Sequence, residues 1–249
     1  MFSTILSGVQ TYATALTLTN RLKLWGYYLI PGLISVGLAM AIGVVAWQFS
    51  DNIGGFLFGW YPETWWGYNA FQKVGNVLGG LAVVALGLLL YKTLVVVLAG
   101  PFMSPLSEKV EMHLTGKTEK QRMNVAMMTR SMLRGLRIAL RNVIRELFYT
   151  LILLLLGLVF PFSPILIFLV QSFYAGFGNM DLTLDRHFGV AGSVAFVRRN
   201  RWSALGNGAV FVGLLLTGVG FLIAPPLATI AATIETVKRL EKEEHLIKQ

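Results

Sequence analysis

Four long stretches of this chain carry almost no charge. Gly26 to Ser50 contains no Asp, Glu, Lys or Arg, and Val74 to Pro101 contains only Lys92. Leu147 to Met180 and Trp202 to Ile234 contain none. A helix needs roughly 20 apolar residues to cross hydrocarbon, and each stretch meets or exceeds that length. The rest of the chain cannot cover a soluble globule: 55% of its 249 residues are hydrophobic and 13% are charged, against about 25% charged in soluble domains. The short alternating segments of a membrane barrel are not seen. The pattern predicts an all-α integral membrane protein, one membrane domain over residues 1–249.

Residues 1–20 place Phe2, Ile5, Leu6, Val9, Tyr12, Ala13 and Leu16 at helical spacing, with Ser and Thr between them. That predicts an uncharged amphipathic helix lying at the interface. A spanning helix is expected over 26–48, with Pro31 near its start, where a missing N–H is tolerated. Its basic flank, Arg21 and Lys23, lies too far into the chain for a signal peptide, so the span is expected to be retained. Residues 49–73 read as a loop with an aromatic belt on the non-cytoplasmic side, including Trp60, Trp65 and Trp66. A second, longer spanning helix is expected over 74–103. Within it Lys92 either snorkels to the headgroups or lines a polar conduit.

Residues 104–146 change character, with nine basic residues against four acidic, and read as basic cytoplasmic helices. Arg130, Arg134, Arg137, Arg141 and Arg145 fall within about 80° of one another at 100° per residue. Leu133, Leu136, Leu140 and Ile144 take the neighbouring face. Such a stripe either snorkels to anionic lipid or attracts an oxyanion.

The last two apolar runs, 147–180 and 202–234, are flanked by basic residues on both sides. Arg198, Arg199 and Arg201 separate them, and Lys238, Arg239 and Lys242 open a charged tail over 235–249. A single crossing of either run would put one basic segment outside, against the positive-inside rule. Both runs are broken at their middles, by Pro161 and Pro164 and by Gly218 and Gly220. Two half-crossing, re-entrant hairpins opening to the cytoplasm are expected, each half about 13 residues and too short to span. Non-helical backbone at membrane depth needs protein around it, which predicts a homodimer or larger assembly.

Cysteine is absent and the three histidines are isolated, so no metal site and no cofactor are expected. The net charge of +9 follows the membrane flanks and does not indicate nucleic acid. Asp181, Asp185, Arg186 and His187 form a cluster that a lipid-modifying enzyme could use, or serve as ordinary caps. A non-transporting membrane scaffold or assembly factor is a further alternative.

From Gly100 the chain reads GPFMSPLSEKVEMHLTGK. Pro101, Phe102, Leu106, Glu108, Val110, Glu111, Leu114, Thr115 and Gly116 match the CysZ-type sulfate permease family in kind and spacing. Leu29-Ile30-Pro31, the Asp181–Arg186 segment and Arg198-Arg199-Asn200-Arg201 agree as well. The chain resembles that family over about residues 5–235. The resemblance implies two long spans with two half-crossing hairpins, and a homo-oligomeric anion permease or channel in a bacterial inner membrane. It also implies sulfate entering the cytoplasm for sulfur assimilation and cysteine synthesis, and no enzymatic activity. Sulfate-binding members carry Gly-Leu-Arg-Arg just before the first span; this chain has Lys23-Leu24-Trp25-Gly26 there. Arg21 and Lys23 are therefore the expected anion contacts. Arg130, Arg134, Arg137, Arg141, Arg198, Arg199 and Arg201 are expected to steer anions or face lipid.

The charge flanks predict that positions near Asn142, Asn179, Asn200 and the C-terminus all face the cytoplasm. Single cysteines introduced into this Cys-free chain should be protected from an impermeant thiol reagent outside intact cells. Labelling near 179 or 200 from outside alone would contradict the hairpins.

Overall fold

A computed structural model describes residues 2–58, 68–116, 125–156, 162–217 and 220–247. Among these the secondary structure is helical throughout: α1 (Phe2–Arg21), α2 (Gly26–Phe58), α3 (Tyr68–Thr115), α4 (Val125–Leu156), α5 (Ser163–Leu184), α6 (Val190–Arg199), α7 (Arg201–Leu215) and α8 (Gly220–Ile247). Among the described residues two segments are long and apolar enough to cross a membrane, Gly26–Gln48 and Ser163–Leu184. Large apolar side chains of the first, among them Leu29, Leu33, Met40 and Trp47, are more than half exposed, as lipid-facing residues are.

Several boundaries differ from those expected. α2 passes Gln48 and runs to Phe58, so part of the expected 49–73 loop is helical. Gly54 and Gly55 each disfavour helix by only about 1 kcal/mol, and no proline stops the chain there. Trp60, Trp65 and Trp66 lie outside the described residues. α3 is one helix of 48 residues, about 72 Å at 1.5 Å per residue. It joins the expected 74–103 span to the start of the 104–146 segment. Its end is sharp because Gly116 takes a positive φ of 67°, the left-handed stop that glycine provides at little cost. α5 has 22 residues where a half-helix of about 13 is expected, because Pro164 sits in its first turn and starts the helix rather than delaying it. α7, with 15 residues, is about 22 Å long and short of a full crossing. α8 continues through Pro225 and Pro226.

The chain forms two compact units, residues 33–96 and residues 1–32 with 97–249. Within the smaller unit the Tyr91 hydroxyl donates to the Ser35 carbonyl at 3.3 Å. Within the larger unit α4 and α5 run antiparallel: Arg134 meets Asp181, Arg141 stacks on Phe177, and Tyr149 stacks on Tyr174. α7 and α8 are likewise antiparallel, since Ser203 bonds Glu235 and Asn207 bonds the Ala228 carbonyl. α5 and α7 join the two pairs, also antiparallel. A Cβ on Gly176 would overlap the Ala204 carbonyl, and one on Gly208 would overlap the Ser172 carbonyl. This register brings Phe162 and Leu216, both largely exposed, to one end of the bundle and the charged ends of α5, α7 and α8 to the other.

α1 lies against α7 and α8. Its buried side carries Gly8, Thr11, Tyr12, Ala15, Leu18 and Thr19, while Val9 and Leu16 of the expected apolar stripe face outward. Their outward placement is that of a helix at the interface, while Tyr12 of the same stripe packs inward. Small and hydroxyl residues make the protein contact, as in bilayer packing, where lipid is as apolar as leucine and close backbone approach drives association. The Tyr12 hydroxyl donates to the Asn207 carbonyl at 2.7 Å, satisfying a polar group that would otherwise be buried at a cost.

Replacing Gly176 or Gly208 with Ala should lower thermal stability in detergent by about 1–3 kcal/mol through overpacking. Gly178→Ala is the matched control, because nothing lies within 4 Å of its added Cβ; it should leave stability unchanged or slightly raised.

Candidate functional site

The turn between α1 and α2 is closed by two backbone bonds. The Leu24 N–H donates to the Thr19 carbonyl at 3.0 Å and the Lys23 N–H to the Asn20 carbonyl at 3.3 Å. Together they make a Schellman motif, whose turning residue must be left-handed. That residue is Lys23, at φ 51°, a conformation that costs a side-chain-bearing residue roughly 1–2 kcal/mol. The turn is braced by Trp25 Nε1 donating to Asn20 Oδ1 at 2.9 Å and by the Thr19 and Tyr28 hydroxyls 2.9 Å apart. Arg21 and Lys23 are exposed, and neither has a carboxylate partner among the described residues. Lys109 Nζ lies 5.1 Å from the Tyr27 ring centroid, which adds a third cation beside this turn.

The end of α3 enters an ionic layer formed with Arg134 of α4, the end of α5 and the turn that follows it. Arg186 Nε donates to Glu111 Oε2 at 2.6 Å and its Nη2 to Ser107 Oγ at 2.8 Å. His187 Nε2 lies 2.5 Å from Glu111 Oε1. Burial alone would raise the Glu111 carboxyl, but the His187 hydrogen bond and the Arg186 charge outweigh it and hold the group below its usual value. Beside this, the Ser107, Thr183 and Thr233 hydroxyls close a buried triangle of bonds at 3.0 to 3.1 Å. Arg134 is bound by Asp185 at 2.7 Å and Asp181 at 3.3 Å, and donates to Ser193 Oγ at 2.6 Å.

Glu235 forms a second node. It is 1% exposed and accepts from Ser7 and Ser203 at 3.0 Å and from Arg239 Nε at 2.8 Å. Arg239 in turn donates to Asn200 Oδ1 at 2.9 Å. One carboxylate therefore ties α1, α7 and α8 together. Deeper in the same bundle Asn179 Nδ2 donates to Asn207 Oδ1 at 3.0 Å.

The cations singled out from sequence are thus distributed among different environments. Arg134 is paired and part-buried, and Arg199 meets Glu243 at 3.2 Å. Arg137, Arg198 and Arg201 are exposed. Arg141 packs over the Phe177 ring at 5.8 Å. The side chains of Arg130 and Lys92 lie outside the described residues. The acidic and histidine cluster at 181–187 is taken up by salt bridges to Arg134 and Glu111. The nodes at Glu111 and Glu235 were not identified from sequence. The signals for them were the acidic residue inside the Gly100–Lys117 block and the Glu235/Arg239 spacing of one helical turn.

A family model described as "Sulfate transporter CysZ/Etoposide-induced protein 2.4" matches residues 12–226. The chain is also 28% identical over 258 aligned residues to a sulfate transporter CysZ of Pseudomonas paraeruginosa (strain DSM 24068 / PA7), with 98% of this chain and 99% of that protein covered.

Because the Glu111 carboxyl is held low in the folded state, its contribution is complete above the unfolded value of about 4.5 and is lost as pH falls through the lower folded value. Glu111→Gln should lower stability at neutral pH by about 2 kcal/mol and flatten the acid limb of a melting-temperature profile recorded in detergent. An acid limb of unchanged steepness would assign that titration to other carboxylates.

Proposed function

The chain belongs to the sulfate transporter CysZ/Etoposide-induced protein 2.4 family, a family of membrane transporters and not of enzymes, and on that premise we propose that it passes sulfate into the cytoplasm. The observation that carries this reading is the α1–α2 turn, where Arg21 and Lys23 are exposed, without carboxylate partners among the described residues, immediately before the apolar Gly26–Gln48 segment. A divalent oxyanion is held best by converging charge-assisted donors, and a lone exposed cation is screened within about 10 Å at 0.1 M salt. Two cations on one turn, with Lys109 beside Tyr27, supply that convergence. Lys23 occupies the place where sulfate-binding relatives have the glycine of Gly-Leu-Arg-Arg. Its positive φ explains why glycine suits that place, and its ammonium supplies charge there.

In this proposal the α4–α5 and α7–α8 pairs are the two re-entrant hairpins, entering a bacterial inner membrane from the cytoplasmic side. Their exposed apolar ends, Phe162 and Leu216, and the basic residues at their opposite ends support that orientation, as does the length of α7. The charged end of α5, from Asp181 onward, lies with the ionic layer outside hydrocarbon. Arg134 and Arg186, neutralised by carboxylates, hold the layer together, and Arg137 contributes electrostatic steering. Homo-oligomers shield the helix breaks, and the sulfate serves cysteine synthesis. The amino-acid sequence carries no GxxxxGK(S/T) phosphate loop, and in this proposal the flux is passive or ion-coupled.

Liposomes containing only the purified protein should take up labelled sulfate. Arg21→Ala with Lys23→Ala should weaken binding and flux roughly ten-fold or more, the loss of two charge-assisted contacts, while leaving the melting temperature unchanged. Arg137→Ala should give a smaller effect that fades at high salt. A protein that neither passes nor binds sulfate at millimolar concentration would be the membrane scaffold instead.

A further inference from the structure

Between α5 and the junction of α6 with α7 lies a cleft of about 500 Å³, lined by Leu169, Phe173, Arg198, Arg201, Trp202 and Leu205. Its chemistry is divided. The two arginines stand together at the α6–α7 junction, and the Arg201 guanidinium lies 5.2 Å from the Trp202 ring centroid. Leu169 and Phe173 lie on α5 and Leu205 one turn further along α7, toward the apolar end of the bundle.

The described arginines near this end of the bundle differ in their pairing. Arg134, Arg186, Arg199 and Arg239 each have a carboxylate within 4.0 Å. Arg198 and Arg201 have none among the described residues, and neither do their neighbours Arg141 and Arg145. Burial, followed by the charges of Arg145 and Arg198, makes the protonated Arg141 less favourable than in water. A guanidinium does not lose its proton in a protein, so an anion bound at this rim would offset the accumulated charge. A free hydrated dianion would seek donors on all sides. Here the donors occupy one rim and the remaining wall is apolar, which fits an amphiphile. No carboxylate lines the cleft to receive a choline or ethanolamine headgroup.

We propose that this cleft binds one anionic phospholipid, with Arg198 and Arg201 on its phosphate and Leu169, Phe173 and Leu205 along its acyl chain. Trp202 sits at the boundary between the two, the level at which indole rings settle in bilayers. The site is separate from the anion contact at Arg21 and Lys23 and does not depend on sulfate passing through the protein.

The test is equilibrium binding of dioctanoyl phosphatidylglycerol to the full-length protein in a neutral detergent, with bound lipid counted by native mass spectrometry. Phosphatidylglycerol should bind in preference to dioctanoyl phosphatidylcholine, and millimolar sulfate should not displace it. Arg198→Gln with Arg201→Gln should weaken phosphatidylglycerol binding roughly ten- to thirty-fold, at about 1 kcal/mol for each arginine near an anionic headgroup. Leu169→Gln, at a part-exposed position, should weaken it while keeping the headgroup preference. Equal binding of the two lipids, or wild-type binding by the double variant, would overturn the proposal. Displacement by sulfate would also overturn it and would make the cleft a free-anion site. These readouts do not use flux, so they stand whether or not the protein carries sulfate.

Discussion

The backbones of α5 and α7 approach each other at Gly176 and Gly208, where any side chain would meet a facing carbonyl. In a bilayer this contact matters more than apolar burial, because lipid offers a leucine about the same environment as protein does. Dispersion between closely fitted backbones and hydrogen bonds between buried polar groups remain to hold helices together. The glycine contact fixes the antiparallel register of the two helix pairs. That register places the Asn179 and Asn207 amides within 3.0 Å of each other and collects the ionic groups at the opposite end from Phe162 and Leu216. α1 repeats the same device, with Gly8 against the backbone of Gly206 and Asn207.

Much of the charge at the basic end is structural. Glu111 and Glu235 each gather donors from distant parts of the chain, and Arg134 bridges α4 to α5 and Ser193 of α6. Leaving one member of such a group without its partner would expose the others to a desolvation penalty of several kcal/mol, so these nodes act as units. What is left over after this pairing is informative. Among the described cations without a carboxylate partner, two sets stand in separate places with different surroundings, at the α1–α2 turn and around the cleft beside Trp202. The turn is exposed and precedes a long apolar segment; the cleft has an apolar wall. On the two proposals above, basic side chains meet a small oxyanion in one place and a lipid phosphate in the other.

The membrane character, the helical content and the family were legible in the sequence because they depend on local quantities. Run length, charge spacing and a short block such as Gly100–Lys117 do not require knowing what packs on what. Helix limits were less legible. Gly54 and Gly55 weaken a helix without ending it, and Pro164 begins α5, so single breakers left both outcomes open. Which face of α1 meets the bundle was not legible, because a helix at the interface can turn its apolar stripe to lipid and pack through its small residues. With lipid outside, Val9 and Leu16 turn outward and Gly8, Thr11 and Ala15 turn in.

By itself the sequence determined that this chain is a helical membrane protein of a transporter family, with basic residues around each late apolar run. Only the tertiary structure decided which arginines are neutralised. Arg134 and Arg137 lie on the same stripe, about 60° apart at 100° per residue. One faces Asp181 and Asp185 on α5 and the other is exposed. The distinction depends on how α4 lies against α5, whose two aspartates come about fifty residues further along the chain. Ion pairing acts over a few ångströms in space, and sequence distance carries no record of it.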